Sequence, residues 1–268
     1  MNLIEKKLVT LAKRMKSKGH IISVKAEFEA EGTRSDELLR LVEVIFKCNL
    51  QLTLKIGGCE AKKDLYEARQ FGATNIVAPM IESPYALQKF ENTIESVYPG
   101  DEQSDVNFYF NIETLQAYKN IEEIINVAKD SSLIKGIVFG RTDFCNSLNL
   151  NNNVNHEQVT SAILSVSKRI KDLDLDLIVG GAISIASVDI LKKVAENKLS
   201  KFETRKIVFR GESLYSDNLE ESLLDAVHFE ILWLLNKRNY YRSLQAEDQE
   251  RINTLENRWG VLEREVAI

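Results

Sequence analysis

Two acidic side chains of this chain directly follow short apolar segments. Glu113 ends the run Asn107-Phe-Tyr-Phe-Asn-Ile, and Asp143 lies in Gly140-Arg-Thr-Asp, just after a second apolar run. A carboxylate at the end of a buried strand is costly unless it is paired or binds a metal ion. Two carboxylates from neighbouring strands, completed by water and substrate oxygens, are typical of a Mg²⁺ site. Taken alone, Asp143 is explained by a helix N-cap and Glu113 by an ion pair. Taken together, the two carboxylates favour a site for Mg²⁺, Mn²⁺ or another divalent metal.

Further charged side chains follow other apolar segments and are candidates for catalysis. Lys55 interrupts an apolar run and is predicted to hold a substrate carboxylate, with a Schiff base or a simple ion pair as alternatives. Arg141 is a candidate for binding a second anionic group, although an ordinary surface arginine fits equally well. Glu27 and Glu29 follow the first apolar run and are candidates for moving a proton.

Composition excludes several other classes of protein. A formal net charge of −5 gives no general electrostatic attraction to nucleic acid. No apolar run approaches the roughly 18 residues that a membrane span needs, and Cys48, Cys59 and Cys145 show no paired spacing. The chain also lacks a P-loop, a GxGxxG motif and a serine or cysteine nucleophile with a neighbouring histidine. We therefore expect a cytoplasmic protein that binds a small molecule.

The elements that must position these residues alternate between strand and helix. The predicted strands are Ile21–Ala26, Leu52–Ile56, Asn75–Ala78, Asn107–Ile112, Gly136–Phe139, Asp176–Val179 and Lys206–Arg210. The predicted helices between them are Ser35–Lys47, Glu60–Gln70, Leu115–Lys129, Gln158–Lys171 and Ile185–Asn197. The repeat of about 30 residues is that of a βα unit, and repeated units predict a parallel sheet covered by helices.

A closed TIM-type (β/α)8 barrel is the predicted fold, with one atypical strand because only seven are recognisable. The eighth is expected in the N-terminal region, although Leu3–Lys18 has the pattern of an amphipathic helix. In such a barrel the reacting groups lie at the carboxyl ends of the strands. Arg210 and Gly211, after the last predicted strand, are therefore expected at the same mouth as Glu113 and Asp143.

The last part of the chain has a different character. Residues 218–258 contain no Gly or Pro, and their pattern changes from apolar to highly charged. We predict a barrel over residues 1–222 and a helical segment over 223–268 that closes the barrel and extends to a partner subunit. The expected assembly is a homo-oligomer, with a solvated extension as the alternative.

Three motifs resemble the HpcH/HpaI aldolase and citrate lyase β-subunit family of the pyruvate/phosphoenolpyruvate barrel superfamily. They are Ile76-Val-Ala-Pro-Met-Ile-Glu-Ser, Asn111-Ile-Glu-Thr-Leu-Gln-Ala and Gly140-Arg-Thr-Asp-Phe-Cys-Asn-Ser-Leu. The resemblance implies that Glu113 and Asp143 bind a divalent metal, which binds a 2-oxo acid or carboxylate substrate and stabilises an enolate. It also implies oligomers.

The chain departs from that family at two positions. Lys55 stands where the family has an arginine, which removes the two-pronged hydrogen bonding to a carboxylate. Glu27-Phe28 stands where the aldolase branch has a Glu-His pair, so the usual base is missing and Glu27, Glu29 or a metal-bound water must replace it.

A metal-dependent carbon–carbon lyase or aldolase acting on a 2-oxo acid is the leading hypothesis. Cleavage or hydrolysis of an acyl-CoA-type substrate is an alternative, with Lys62, Lys63 and Arg69 as candidates for phosphate binding. A non-catalytic ligand-binding barrel is a further alternative, supported by the missing histidine and the unusual tail.

Overall fold

Eight strands form a closed barrel in the computed structural model, which describes residues 1–266 and side chains as far as residue 263. The predicted segment 223–268 thus includes two residues, 267 and 268, outside the described residues. The strands are β1 (Ile21–Glu27), β2 (Gln51–Lys55), β3 (Asn75–Ala78), β4 (Asn107–Ile112), β5 (Ile134–Gly140), β6 (Asp176–Gly180), β7 (Lys201–Glu203) and β8 (Ile207–Arg210). Each strand pairs with the next along the chain, and β8 pairs with β1. The predicted barrel is confirmed.

Helices follow most strands and cover the outside of the barrel. They are α1 (Leu3–Ser17), α2 (Ser35–Cys48), α3 (Lys62–Gln70), α4 (Pro84–Val97), α5 (Gly100–Gln103), α6 (Leu115–Lys119), α7 (Ile121–Asp130), α8 (Arg141–Ser147), α9 (Glu157–Arg169), α10 (Val188–Ala195) and α11 (Leu219–Val266). Helix α4 was not predicted from the sequence, although Ser83 caps its N-terminus and Pro84 follows, a combination typical of a helix start. The predicted helix Leu115–Lys129 is two helices that meet at Asn120.

The eighth strand is β7, and its position corrects the sequence-based prediction. The N-terminal region forms helix α1 and contributes no strand. Strand β7 has only three residues and is followed by β8, which runs antiparallel to both β7 and β1. The predicted single strand Lys206–Arg210 is therefore the second half of a hairpin. Because β8 runs in the opposite direction, Arg210 and Gly211 lie at the far end of the barrel, and the hairpin turn 204–206 lies at the mouth.

The main apolar core lies between the strands and the surrounding helices, as in other α/β barrels. The side chains of Val77, Tyr109, Val138 and Ile178 form a separate cluster inside the barrel. The interior is thus filled below the mouth.

Helices α1 and α11 pack against each other beside the barrel. Two hydrogen bonds join the guanidinium of Arg14 in α1 to the carboxylate of Asp225 in α11, and in one of them Nε donates at 2.7 Å. On the barrel side of α11, Ala226, Phe229 and Trp233 are buried. The second half of the helix continues past the barrel: residues 242–263 are exposed apart from Gly260. Within residues 1–266 no helix has both the length and the apolar composition of a membrane span.

Candidate functional site

A cavity of about 210 Å³ lies at the carboxyl mouth of the barrel. Its charged and amide side chains come from four strands, three loops and the start of α8. They are Lys25, Glu27, Glu29, Lys55, Asn111, Glu113, Asp143, Glu203 and Arg205. Glycines 140, 180 and 181 and Thr142 complete much of the wall. The structure therefore brings together five of the six residues predicted from the sequence, the exception being Arg141.

Glu113 is buried at the end of β4 and held from three sides. Its Oε2 accepts hydrogen bonds from Asn111 Nδ2 at 2.6 Å and Lys55 Nζ at 3.3 Å. Its Oε1 accepts one from the backbone N–H of Met80 at 3.0 Å. Met80 has φ 51°, a conformation that is unfavourable for a side-chain-bearing residue and is often found at functional sites. Burial raises the pKa of Glu113 despite Lys55, and Asp143 adds to this effect.

Lys55 lies between two carboxylates. Its Nζ is 3.0 Å from Glu29 Oε2 and 3.3 Å from Glu113 Oε2. Burial alone would lower the pKa of Lys55, but Glu113 and Glu29 outweigh burial and raise it. Lys55 is therefore a fixed positive charge at neutral pH. This favours the carboxylate-holding or ion-pair interpretation over a Schiff base, which needs a neutral amine.

Lys25 is a buried residue of the site that was not predicted from the sequence. Its ammonium contacts Glu203 at the end of β7 and lies 3.3 Å from Glu27 Oε1. These carboxylates raise the pKa of Lys25 against the effect of burial. In turn Lys25, with Lys55 and Arg205, lowers the pKa of Glu27 although burial opposes this. Ser23, Lys25 and Glu27 are polar at alternate positions of β1, and this pattern was a signal that all three face the barrel interior.

Three buried oxygen atoms on the cavity wall have no hydrogen-bond partner among the described residues. They are Glu29 Oε2, which lies 3.0 Å from Lys55 Nζ, Asn111 Oδ1 and Glu203 Oε2. A buried acceptor without a partner is unfavourable, and it gains most from a cation or a hydrogen-bond donor. All three atoms belong to residues that line the cavity. They indicate that the cavity is suited to a positively charged or hydrogen-bond-donating group.

The donor set fits a hard divalent cation. Asp143 is exposed in the first turn of α8 and lines the same cavity as Glu113. A Cβ at Gly140 would lie 2.9 Å from Glu113 Oε2, so glycine keeps space beside this carboxylate. Among the described residues, no group of three or more His, Cys, Asp or Glu side chains is arranged to hold a metal ion. An ion here would therefore bind to two carboxylates together with neutral oxygens such as Asn111 Oδ1, substrate and water.

Arg141 does not face the cavity, contrary to the prediction from the sequence. Its side chain is fully buried, and its guanidinium donates to the carbonyl oxygens of Gly181 and Ala182 and to Ser187 Oγ. Burial lowers the pKa of Arg141 to about 10. It anchors the loop after β6 in the structure, and its Nη1 donates to Asn155 Oδ1 at 3.4 Å.

Arg205 is the guanidinium group at the mouth. It lies in the turn between β7 and β8, lines the cavity and is exposed. Among the described residues it has no ion-pair partner within 4.0 Å, and it lowers the pKa of Glu27 only from a distance. Arg205 was not predicted from the sequence because the turn has no recognisable signal, and Arg210 was expected at the mouth instead.

The basic residues proposed for phosphate binding lie on α3, outside the cavity wall. Lys63 pairs with Glu67 at 2.5 Å, and Arg69 bonds to Glu102 through Nε at 2.6 Å. Lys62 lies 6.0 Å from the ring centroid of Tyr66. Two of the three positive charges are thus already neutralised within the chain.

Comparison with known proteins identifies a family for more than half of the chain. The model of the family described as HpcH/HpaI aldolase/citrate lyase matches residues 45–197. This range includes Lys55, Glu113 and Asp143 and ends before the β7–β8 hairpin. No curated protein sequence matches the chain.

Solved structures share the fold at low sequence identity. A HpcH/HpaI aldolase/citrate lyase family protein from Burkholderia cenocepacia J2315 is 13% identical, with TM-score 0.61 over 91% of this chain and 98% of that chain. The HpcH/HpaI aldolase from Desulfitobacterium hafniense DCB-2 is 14% identical, with TM-score 0.58 over 76% of this chain and 84% of that chain. Citrate synthase SbnG is 13% identical, with TM-score 0.58 over 73% and 81%, respectively.

Proposed function

Because this chain belongs to the HpcH/HpaI aldolase/citrate lyase family, we propose that it is a divalent-metal-dependent carbon–carbon lyase acting on a pyruvate-like 2-oxo acid through an enolate. Family membership makes it an enzyme of the aldolase/citrate lyase type; metal and substrate are the proposal. The observation that carries it is the charge of the cavity. Its wall has five carboxylates but only three cations, which leaves two negative charges in excess. A divalent cation would balance them.

Glu113 and Asp143 would hold the ion, with Asn111 Oδ1 as a further oxygen donor. When bound, the ion supplies positive charge next to the substrate and so stabilises the enolate. Asn111 and the Met80 N–H orient the Glu113 carboxylate through the hydrogen bonds at 2.6 and 3.0 Å. Hydrogen bonds of this kind fix the direction of a metal-binding carboxylate.

The substrate carboxylate would be held by Arg205, with Lys55 contributing positive charge deeper in the cavity. Arg205 has a free guanidinium, which can bind both oxygens of a carboxylate. Lys55 already has two carboxylate neighbours. The arginine that the family resemblance leads one to expect at position 55 is thus replaced, in this proposal, by an arginine from the β7–β8 turn.

Proton transfer would fall to a carboxylate, since none of the three histidines lines the cavity. Glu27 is a weak base because its pKa is lowered. Glu29 Oε2 lies 3.0 Å from Lys55 Nζ, and the Glu29 side chain is only partly buried. Glu203 Oε2 is buried without a hydrogen-bond partner, so its lone pairs are free to accept a proton from the carbon next to the keto group. As this proton leaves, the C–H electrons form the C=C bond of the enolate, and the π electrons of the C=O bond move to the keto oxygen.

The test combines Mn²⁺ binding with proton exchange. Wild-type protein should bind Mn²⁺, and with Mn²⁺ or Mg²⁺ it should exchange the methyl protons of pyruvate in D2O, as followed by NMR, and decarboxylate oxaloacetate. Glu113→Gln and Asp143→Asn should each weaken Mn²⁺ binding and abolish exchange while the far-UV circular dichroism spectrum is retained. Glu82→Gln is the matched control, because Glu82 accepts from Thr114 and is not on the cavity wall.

Unchanged exchange in both variants would reject the metal mechanism. A wild-type protein that binds no Mn²⁺ and exchanges no proton would instead favour a non-catalytic ligand-binding barrel. For Arg205→Met, the expected result is a KM for oxaloacetate that rises by about 10- to 100-fold with Mn²⁺ affinity retained, since a charged hydrogen bond is worth about 1.5–3 kcal/mol. An unchanged KM would remove Arg205 from the site.

A further inference from the structure

A short turn in the loop between β1 and α2 carries two carboxylates at the barrel mouth. Residues 29–32 form this turn, and Gly32 N donates to the carbonyl oxygen of Glu29 at 3.2 Å. Among the described residues, no backbone hydrogen bond joins residues 29–32 to another part of the chain. The polar contacts that hold the turn in place are therefore those of the Glu29 and Glu31 side chains.

The two carboxylates differ in how firmly they are held. Glu31 bonds to the ammonium of Lys206, whose side chain is only 2% exposed and has no other ion-pair partner among the described residues. Loss of Glu31 would leave this buried ammonium unpaired, which is strongly unfavourable. Glu29 is 29% exposed, and its Oε2 lies 3.0 Å from Lys55 Nζ without the geometry of a hydrogen bond. Loss of Glu29 still leaves Lys55 with Glu113 at 3.3 Å, so Glu29 is the exchangeable contact of the turn.

The contact between Glu29 and Lys55 has the same chemistry as the contact expected for a substrate. In the proposed function, Lys55 contributes positive charge to a substrate carboxylate. Glu29 presents a carboxylate of its own to the same ammonium, and both side chains line the cavity. The Lys55 side chain is only 7% exposed, so little of its ammonium is open to a further ligand. Glu29 therefore keeps a ligand carboxylate away from Lys55 as long as this contact lasts.

We propose that Glu29 is an autoinhibitory side chain, which occupies on Lys55 the place of a substrate carboxylate. A carboxylate ligand displaces Glu29 into solvent, while Glu31 keeps the turn bound to Lys206. The inference rests on the proposed function, because it takes the ligand to be a carboxylate. Since the same chain presents Glu29, its effective concentration at Lys55 is high. Glu29 thus lowers the affinity for every carboxylate, and only ligands with further contacts, to a metal ion or to Arg205, still bind.

Oxalate tests the displacement, because it presents carboxylates and binds divalent metal ions without reacting. Isothermal titration calorimetry compares the affinities of wild type and variants for oxalate, each with and without Mn²⁺. Glu29→Gln should bind oxalate about tenfold more tightly, a gain between those of an exposed ion pair and a charged hydrogen bond. Glu29→Asp should show most of this gain, because it keeps the negative charge but is one methylene shorter. An aspartate variant that binds like the wild type would overturn the inference, since Glu29 would then act only through its charge.

A double-mutant cycle tests whether the effect passes through Lys55. In a Lys55→Met background, Glu29→Gln should bring no gain in oxalate affinity, and an undiminished gain would overturn the inference. Glu60→Gln is the matched control, because Glu60 pairs with Lys89 at 2.7 Å and does not line the cavity. If Glu60→Gln gains as much affinity as Glu29→Gln, the net charge of the protein explains the effect and Glu29 has no special role. Should Lys55→Met fail to fold, the comparison of Glu29→Gln, Glu29→Asp and Glu60→Gln still decides.

Failure of this inference can be distinguished from failure of the proposed function. If the protein binds no Mn²⁺ and exchanges no proton, the proposed function fails, but the titrations without Mn²⁺ still compare the variants. A Glu29→Gln protein that binds no oxalate under either condition would overturn the inference. So would a Glu29→Gln variant with unchanged oxalate affinity and a lower kcat for oxaloacetate, because Glu29 would then take part in proton transfer. A crystal structure of the oxalate complex should show oxalate on Lys55 and Glu29 turned away; a Glu29 still 3.0 Å from Lys55 Nζ would contradict this.

Discussion

Replacing Lys25 with methionine removes the cation at the centre of the barrel mouth while nearly retaining side-chain length. Lys25 is buried, contacts Glu203 and lies 3.3 Å from Glu27. At an effective dielectric constant near 20, one pair at that distance has a Coulomb energy of about 5 kcal/mol. Removing one partner of a buried ion pair typically costs about 3–5 kcal/mol. We expect the free energy of unfolding to fall by about 3–5 kcal/mol at pH 8.

The loss should shrink as the pH falls. In the wild type the pKa of Glu27 is lowered, so its ionised form stabilises the fold above the unfolded pKa, and this stabilisation is lost as pH falls through the folded pKa. The pKa of Lys25 is raised, so its own contribution is complete throughout the acid range. Without Lys25, burial should raise the pKa of Glu27 above its unfolded value. The penalty is then largest at high pH and disappears once the carboxyl is protonated in both states.

Urea unfolding followed by circular dichroism at pH 8 and pH 5 measures this effect. The wild type, Lys25→Met and the double variant Lys25→Met with Glu203→Gln form the series. The double variant removes one of the two carboxylates left without a partner, so it should recover about half of the loss. A loss equal at both pH values, or a double variant no more stable than the single one, would refute an electrostatic role for Lys25.

Two further substitutions test how the site is supported. Gly140→Ala places a Cβ 2.9 Å from Glu113 Oε2, so the affinity for Mn²⁺ should fall about 10- to 100-fold while the fold is retained. Gly58→Ala is the control in the same titration, because a Cβ at Gly58 meets no atom within 4 Å. Equal Mn²⁺ affinities of the two variants would contradict the prediction. Arg141→Leu leaves the carbonyl of Gly181 without its two guanidinium donors. The free energy of unfolding measured in urea should therefore fall by about 1–3 kcal/mol. An unchanged free energy of unfolding would mean that water replaces those donors.

The sequence predicted the parallel strands well because each is a short apolar run that is buried on both faces. Asn75–Ala78 and Asn107–Ile112 have the predicted bounds. Strand β7 was missed for a physical reason. It has three residues, two of them charged, and the hairpin turn after it contains no Gly, Asn or Pro. Thr204 closes the turn instead, with its Oγ1 accepting from Ile207 N at 3.1 Å, and a threonine in that role leaves no turn signal in the sequence.

The site was predictable as far as strand ends determine it. Lys55 ends one buried strand and Glu113 comes directly after another, and the structure places both on the cavity wall. The prediction for Arg141 was wrong because the direction of its side chain depends on the loop after β6, whose carbonyl oxygens accept hydrogen bonds from the guanidinium. No local pattern in the sequence encodes that contact. Lys25 was overlooked because a lysine inside a strand is usually a solvent-facing residue, and only the closure of the barrel turns it inward.

The charges at the mouth also determine in which order ligands can enter. Lys25 and Lys55 are each shared between two carboxylates, so among the described cations of the cavity wall only Arg205 is without a carboxylate partner and can attract an anion. An anionic 2-oxo acid entering alone would therefore meet a wall with two excess negative charges. A divalent cation would neutralise this excess, and the unpartnered oxygens of Asn111 and Glu203 show where positive charge or a donor is lacking. Binding of the acid should consequently be weak without the metal and strong with it, a linkage that a purely structural barrel has no reason to possess.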